Sequence, residues 1–233
     1  MFLRITRSMR PGTRVRVVSM LATLATSLAV GVFAFAAPAS AACSTGTHCY
    51  AIAQYSNSSI MGTHATIDPA YLTSPSSNFV TDEIWLVNST SEYWVEIGYI
   101  DNETSINGVS QGLSEFWFDS RPGGGEHGHV LVSNPSLSAR TFYITQGSPS
   151  TTYGVGDGTH SASSTSNSMV PIKAEIGSES TSGSACSWAD DYSMAYTTGS
   201  GWINLPSATT SVNSPQQLTW VSNPTHMNAG LQC

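Results

Sequence analysis

Basic residues are scarce in this sequence. Only eight Lys and Arg occur among 233 residues, and five of them, Arg4, Arg7, Arg10, Arg14 and Arg16, fall near the start. From position 42 onward Arg121, Arg140 and Lys173 stand alone against fifteen acidic residues, a net charge of −12. A surface so acidic cannot follow a phosphate backbone or an anionic bilayer, which excludes nucleic acid as a partner and, past the leader, the membrane. No window of helical length repeats apolar residues at three-to-four spacing, so a helical bundle is excluded. No Cys-x-x-Cys pair is present, which argues against a zinc site of the usual spacing. No Gly-x-Ser-x-Gly elbow occurs either. The glycine-rich stretch "RPGGGEHGHV" is followed by no helical pattern, so it is not a nucleotide cradle. No cofactor is called for.

What is present begins with a leader. The five arginines run into "VVSMLATLATSLAVGVFAFAAPASA", and the small residues Ala39, Ser40 and Ala41 follow the apolar run. Residues 1–41 thus have the composition of a secretory signal peptide of bacterial type, with cleavage expected after Ala41. Adjacent arginines are lacking, which favours the general export route. Residues 42–233 show no linker, charge block or internal repeat, and are expected to form one secreted, extracellular and monomeric domain. Cys43, Cys49, Cys186 and Cys233 all lie in the exported part. An even number in an oxidising compartment implies disulfides, and pairing Cys43 with Cys49 and Cys186 with Cys233 would tie down both ends. As the carboxylates protonate in acid, self-repulsion falls, so tolerance of acid is expected.

Short runs rich in Val, Ile, Phe, Tyr and Trp recur between Gly, Ser, Asn and Pro clusters: "GTHATID", "TDEIWLV", "YWVEIGYI", "SEFWFD", "HGHVLVS", "ARTFYITQ", "MVPIKAEIGSE", "DYSMAYT" and "QQLTWVS". This is the pattern of an all-β antiparallel sandwich or barrel. The stretches "GVGDGTHSASSTSNS" and "STSGSAC" read as loops. The Asn-x-Ser/Thr triplets at Asn57, Asn88 and Asn102 read as turns.

Period-two alternation assigns the faces. In "EYWVEIGYI", Tyr93, Val95, Ile97 and Tyr99 share an apolar face, leaving Trp94, Glu96 and Gly98 opposite. In "SEFWFD", Phe116 and Phe118 are expected on the core side, with Glu115, Trp117 and Asp119 opposite. In "VPIKAEIGSE", Ile172, Ala174 and Ile176 face the core, and Lys173, Glu175, Gly177 and Glu179 face away. Tryptophans beside glycines suit a groove, because Gly admits a ligand and Trp gives it a flat wall.

Glu96 and Glu179, or Glu175 in its place, would then face one cleft. Two close carboxylates cannot both ionise easily, so one serves as acid and the other as base at the same pH. An acyl-transfer enzyme would activate water with the anion and polarise the carbonyl with the neutral acid. A glycosidase would use the same pair, its separation setting the stereochemistry. His127 and His129 alternate onto one strand face beside Glu126 and could offer imidazole ligands, but no carboxylate follows in "VLVSN", and no metal is expected.

The order of "HATIDPAYL", "EIWLVN", "VEIGYI" and "EFWF" resembles the neprosin-type glutamic peptidases, over roughly residues 62 to 180. The resemblance implies a β-sandwich of concanavalin-like, jelly-roll type with a concave cleft, and a glutamic endopeptidase that cuts after proline. It makes Glu96 the first catalytic glutamate through "VEIGY", and Glu179 the second through the Gly-x-Glu of "IGSES". Trp94 and Trp117 would wall the cleft, with Arg121, His127 and His129 on its border as substrate-binding residues. The alternative is a non-catalytic secreted module that binds carbohydrate or peptide by tryptophan stacking. A peptide or polysaccharide is the expected ligand.

Overall fold

Strand-forming runs must pair laterally to satisfy their backbone N–H and C=O groups. In a computed structural model of the chain they do so in two antiparallel sheets. The structure describes Cys43 and residues 46–75, 78–101 and 112–233. The expected leader and the turn at Asn102 lie outside the described residues. Of the chain's two units, residues 1–38 and 39–233, the second holds every strand described here.

The strands are β1 (Cys49–Ser56), β2 (Gly62–Thr73), β3 (Val80–Asn88), β4 (Trp94–Asp101), β5 (Ser114–Arg121), β6 (Gly125–Ser133), β7 (Arg140–Gln146) and β8 (Tyr153–Gly156). They continue as β9 (Ser161–Ser164), β10 (Pro171–Ser180), β11 (Cys186–Thr197), β12 (Trp202–Asn204), β13 (Thr209–Val212), β14 (Gln217–Ser222) and β15 (His226–Leu231). One sheet runs β13-β1-β10-β3-β4-β5-β6, the other β14-β15-β11-β2-β7-β8-β9, with β12 paired to β11. Between them lies the core: Ile84, Leu86, Val95, Ile97, Tyr99 and Ile176 from the first sheet pack with Ala65, Ile67, Phe142, Ile144, Met194 and Met227 from the second. Each large aliphatic side chain buried there contributes about 1.5–3 kcal/mol. The all-β antiparallel sandwich is therefore observed.

Both disulfides form as the termini suggest, Cys43 with Cys49 and Cys186 with Cys233. The turns at Asn57 and Asn88 are also found: Asn57 Oδ1 accepts from Ser59 N–H, and Asn88 Oδ1 from the N–H groups of Glu92 and Tyr93. The stretch read as one loop from Gly154 contains all of β9 and all but the first residue of β8, two four-residue strands at one end of a sheet. Their Ser, Gly and Ala content hides them from any hydrophobic pattern.

Alternation predicts the faces of β4 and β10 correctly but reverses β5. Phe116 and Phe118 face outward with Gly98 and Glu96, their cross-strand neighbours, whereas Trp117 is 4 % exposed and joins the core. Both faces of this strand are aromatic, so hydrophobicity cannot choose between them. The core also has a polar seam. Asp82 on β3 and Asp191 on β11 are fully buried without hydrogen-bond partners, and Ser178 and Ser187 share a hydrogen bond of 2.7 Å nearby.

Candidate active site

The outer face of the seven-stranded sheet carries a cleft of about 620 Å³. Strand register fixes its layout in three rows. Tyr50, Glu179, Thr81 and Ile100 form one, on β1, β10, β3 and β4 in turn. Ile52, Gly177, Glu83, Gly98 and Phe116 form the next, and Gln54, Glu175, Trp85, Glu96 and Phe118 the third. Glu179, Glu83 and Glu96 therefore descend diagonally across three adjacent strands.

The walls are aromatic on both sides. Trp85, Val87 and Ile52 cluster with Tyr50 and Trp94, while Ile100 and Phe116 cluster with Phe79, Phe118 and Val130. Phe118 can lie flat because Gly128 opposes it; a Cβ there would come within 2.0 Å of the ring. Gly98 has a related function, since a Cβ at that position would stand 2.5 Å from Glu83 Cβ.

The carboxyl groups have different surroundings. Burial first, and then the Glu179 charge, hold the Glu96 carboxyl well above the usual carboxylate range, against the Trp85 indole, which favours the anion. Glu83 is raised in the same way, by burial and then by Glu96 and Glu179. Glu179 is 6 % exposed and hydrogen-bonds His48 Nδ1 through Oε1. Beside it the Tyr50 phenol is pushed far up, by burial and then by the Glu179 charge. Glu175 is engaged elsewhere, accepting from Gln54 Nε2 at 2.8 Å with Lys173 Nζ at 3.4 Å. Burial raises its pKa and Lys173 opposes the rise.

Of the residues singled out in the sequence, Glu96, Glu179 and Trp94 meet in this cleft. Trp117, Arg121, His127 and His129 do not: they lie on the opposite face of the sheet. His129 stacks on Trp117 at 4.5 Å, Arg121 Nε donates to Asp119 at 2.8 Å, and His127 Nδ1 is 3.4 Å from the same carboxylate. The cause is the reversed face of β5, which takes its partners on β6 with it. Glu83, Trp85, Tyr50 and His48 were not singled out. Alternation in "TDEIWLV" groups Thr81, Glu83, Trp85 and Val87, but the opposite face carries Asp82, so neither side stands out as core.

Among the described residues Glu115, Asp157 and His160 could hold a cation, their ligand atoms lying within 4.8 Å of one another. Arg140 already fills that place, with Nε 2.8 Å from Glu115 and Nη1 2.6 Å from Asp157.

No protein-family model matches the chain, and no curated protein does. Solved structures do match. The crystal structure of scytalido-glutamic peptidase with a transition state analog inhibitor superposes with a TM-score of 0.58 at 12% identity, covering 78% of this chain and 98% of that one. A second structure of that peptidase, with a peptide based transition state analog, gives 0.57 at the same identity and coverage. The chain thus has a fold similar to that of known glutamic peptidases.

Proposed function

We propose that residues 42–233 are a secreted glutamic endopeptidase that works in acid through Glu96 and Glu179. The observation that carries this is the asymmetry of the pair within one cleft: Glu96 is held neutral by burial and by the charge of Glu179, while Glu179 is hydrogen-bonded to His48. One group is then an acid and the other a base at the same pH. The engagement of Glu175 with Gln54 and Lys173 favours Glu179 as the second member. The fold shared with scytalido-glutamic peptidase, solved with a peptide based transition state analog, supports a peptide substrate.

In the reaction, Glu179 takes a proton from water as the water oxygen bonds to the scissile carbonyl carbon. The neutral Glu96 carboxyl donates a hydrogen bond to the oxygen that gains charge. The tetrahedral species collapses as the C–N bond breaks, and Glu179 returns its proton to the leaving nitrogen. Water and peptide are consumed, and both carboxyl groups end as they began. Cleavage after proline is the preference that the likeness to neprosin-type peptidases implies, and residues 1–41 are the export signal. The two disulfides accord with an oxidising destination.

The test is to incubate the purified domain with proline-containing and proline-free peptides between about pH 3 and about pH 7, and read products by mass spectrometry. Glu179→Gln should lower kcat by about 10²–10⁴. Glu96→Ala should lose about 10²–10³, whereas Glu96→Gln, which keeps a donor, should retain activity to higher pH. Absence of cleavage at every pH refutes the peptidase. Tryptophan-dependent binding of an oligosaccharide or peptide without turnover would instead support a binding module, for which the wall of Trp85 and Trp94 is suited.

A further inference from the structure

The two-glutamate chemistry leaves a third carboxyl in the cleft without a task. Glu83 lies on β3, the strand between those that carry Glu179 and Glu96. Its cross-strand neighbours on the two sides are Gly177 and Gly98, so nothing but backbone flanks it in its own row. Glu179 and Glu96 each stand two residues from those glycines, which makes both of them diagonal neighbours of Glu83, at roughly 7–8 Å with the Cβ atoms somewhat closer. Glu83 is 0 % exposed and lines the cleft floor, and neither of its oxygens has a hydrogen-bond partner. The Thr81 hydroxyl, nearby on the same strand, favours the Glu83 anion and also lies 3.4 Å from the Glu179 carbonyl.

An unpartnered carboxyl at such a depth is costly, and a leucine would fill the space with no polar group to satisfy. A protonated carboxyl has one hydrogen to give. The acceptors placed symmetrically about Glu83 are the two reacting glutamates. Resting on the peptidase function proposed above, we propose that Glu83 is a positioning residue, a protonated carboxyl beneath the pair that donates its hydrogen to Glu179 and thereby fixes Glu179 as the base and Glu96 as the acid. Its own proton does not enter the stoichiometry of hydrolysis. The titratable groups around it are Glu96 on β4, Glu179 on β10 and Tyr50 on β1, with Asp82 adjacent on its own strand but facing the core. Burial, and then the neighbouring Glu96 and Glu179 carboxyls, raise it well above the range of an ordinary carboxyl, with the Thr81 hydroxyl opposing.

The experiment uses the domain from residue 42 with Glu83→Gln, which keeps a donor but cannot titrate, and Glu83→Leu, which keeps neither. Infrared difference spectra of the resting protein, recorded without substrate across about pH 4 to about pH 8, report protonated carboxyl groups directly. Glu83→Gln should remove one protonated-carboxyl band that persists in the parent at about pH 6, and Glu83→Leu should shift the titration of those that remain. In peptide hydrolysis, Glu83→Gln should stay within about threefold of the parent in acid and extend the alkaline limb of kcat/KM. Glu83→Leu should lower kcat about 10²-fold with KM unchanged. If Glu83→Gln leaves the band in place, or Glu83→Leu leaves both the titration and kcat unaltered, Glu83 has no such function. An inactive parent would refute the peptidase while the infrared titration still decides whether Glu83 governs the protonation of its neighbours. Should Glu83→Leu fail to fold, the band and the pH limb of Glu83→Gln decide alone.

Discussion

Raising the pH should unfold this protein at neutrality far more readily than in acid. The cause lies between the sheets, where Asp82 and Asp191 are fully buried with all four carboxyl oxygens unpartnered. Burial first, and then the charge of Asp191, raises Asp82 well above the usual carboxylate range, with the Ser178 hydroxyl opposing; burial and then Asp190 raise Asp191. Both groups thus keep their protons to higher pH in the fold than in the unfolded chain. For an acid whose folded value is raised, stability is fully present below the unfolded value, about 3.9, and is lost as pH rises toward the folded one. Each pH unit between the unfolded value and the raised folded one costs about 1.4 kcal/mol per aspartate, against a whole-domain stability of about 5–15 kcal/mol. Urea unfolding followed by tryptophan fluorescence at intervals from about pH 4 to about pH 7 should show a falling midpoint. Asp82→Asn and Asp191→Asn should each flatten the dependence by about 1.4 kcal/mol per pH unit. A midpoint that rises toward neutrality, or variants whose slopes match the parent, would refute the protonated seam.

Three further outcomes follow from packing and charge. Arg140→Met should cost about 3–5 kcal/mol by leaving Glu115 and Asp157 without their shared cation, read as a loss in unfolding free energy. Gly98→Ala should lower the melting temperature, because the added Cβ would meet the Asp82 carbonyl oxygen at 2.3 Å and Glu83 Cβ at 2.5 Å. Replacing Cys186 and Cys233 by Ser opens a bridge with a sequence separation of 47, a loss of about 4 kcal/mol in the chain-entropy model, measurable by urea titration.

The sandwich was legible in the sequence because its central strands alternate over enough residues to declare a period. "VEIGYI" and "AEIGSE" each oppose aliphatic side chains to carboxylates, and that contrast placed Glu96 and Glu179 on the outward face where they are found. The period fixes which residues share a face but not which face is core. In "SEFWFD" both sets are aromatic, so the assignment inverted, and Trp117, Arg121, His127 and His129 went with it. Glu83 was hidden for the complementary reason, since its strand has an acid on each side: Asp82 inward, Glu83 outward. The weak strands β8 and β9, the last two of their sheet, and β1 with its alanines, are held by their neighbours rather than by any local preference.

The scarcity of cations has a consequence for the survival of this protein among proteases. Past residue 41 only three peptide bonds follow a basic residue, and one of those is Arg121–Pro122, which trypsin-like enzymes do not cut. Of the others, Arg140–Thr141 opens β7 with its guanidinium held by two carboxylates, and Lys173–Ala174 lies inside β10 with its amine on Ser91 and Glu175. Cleavage needs an exposed, locally unfolded segment, and neither site offers one. The folded domain should outlast enzymes that cut at basic residues, and its peptide map should be taken with a protease directed at acidic or aromatic positions instead.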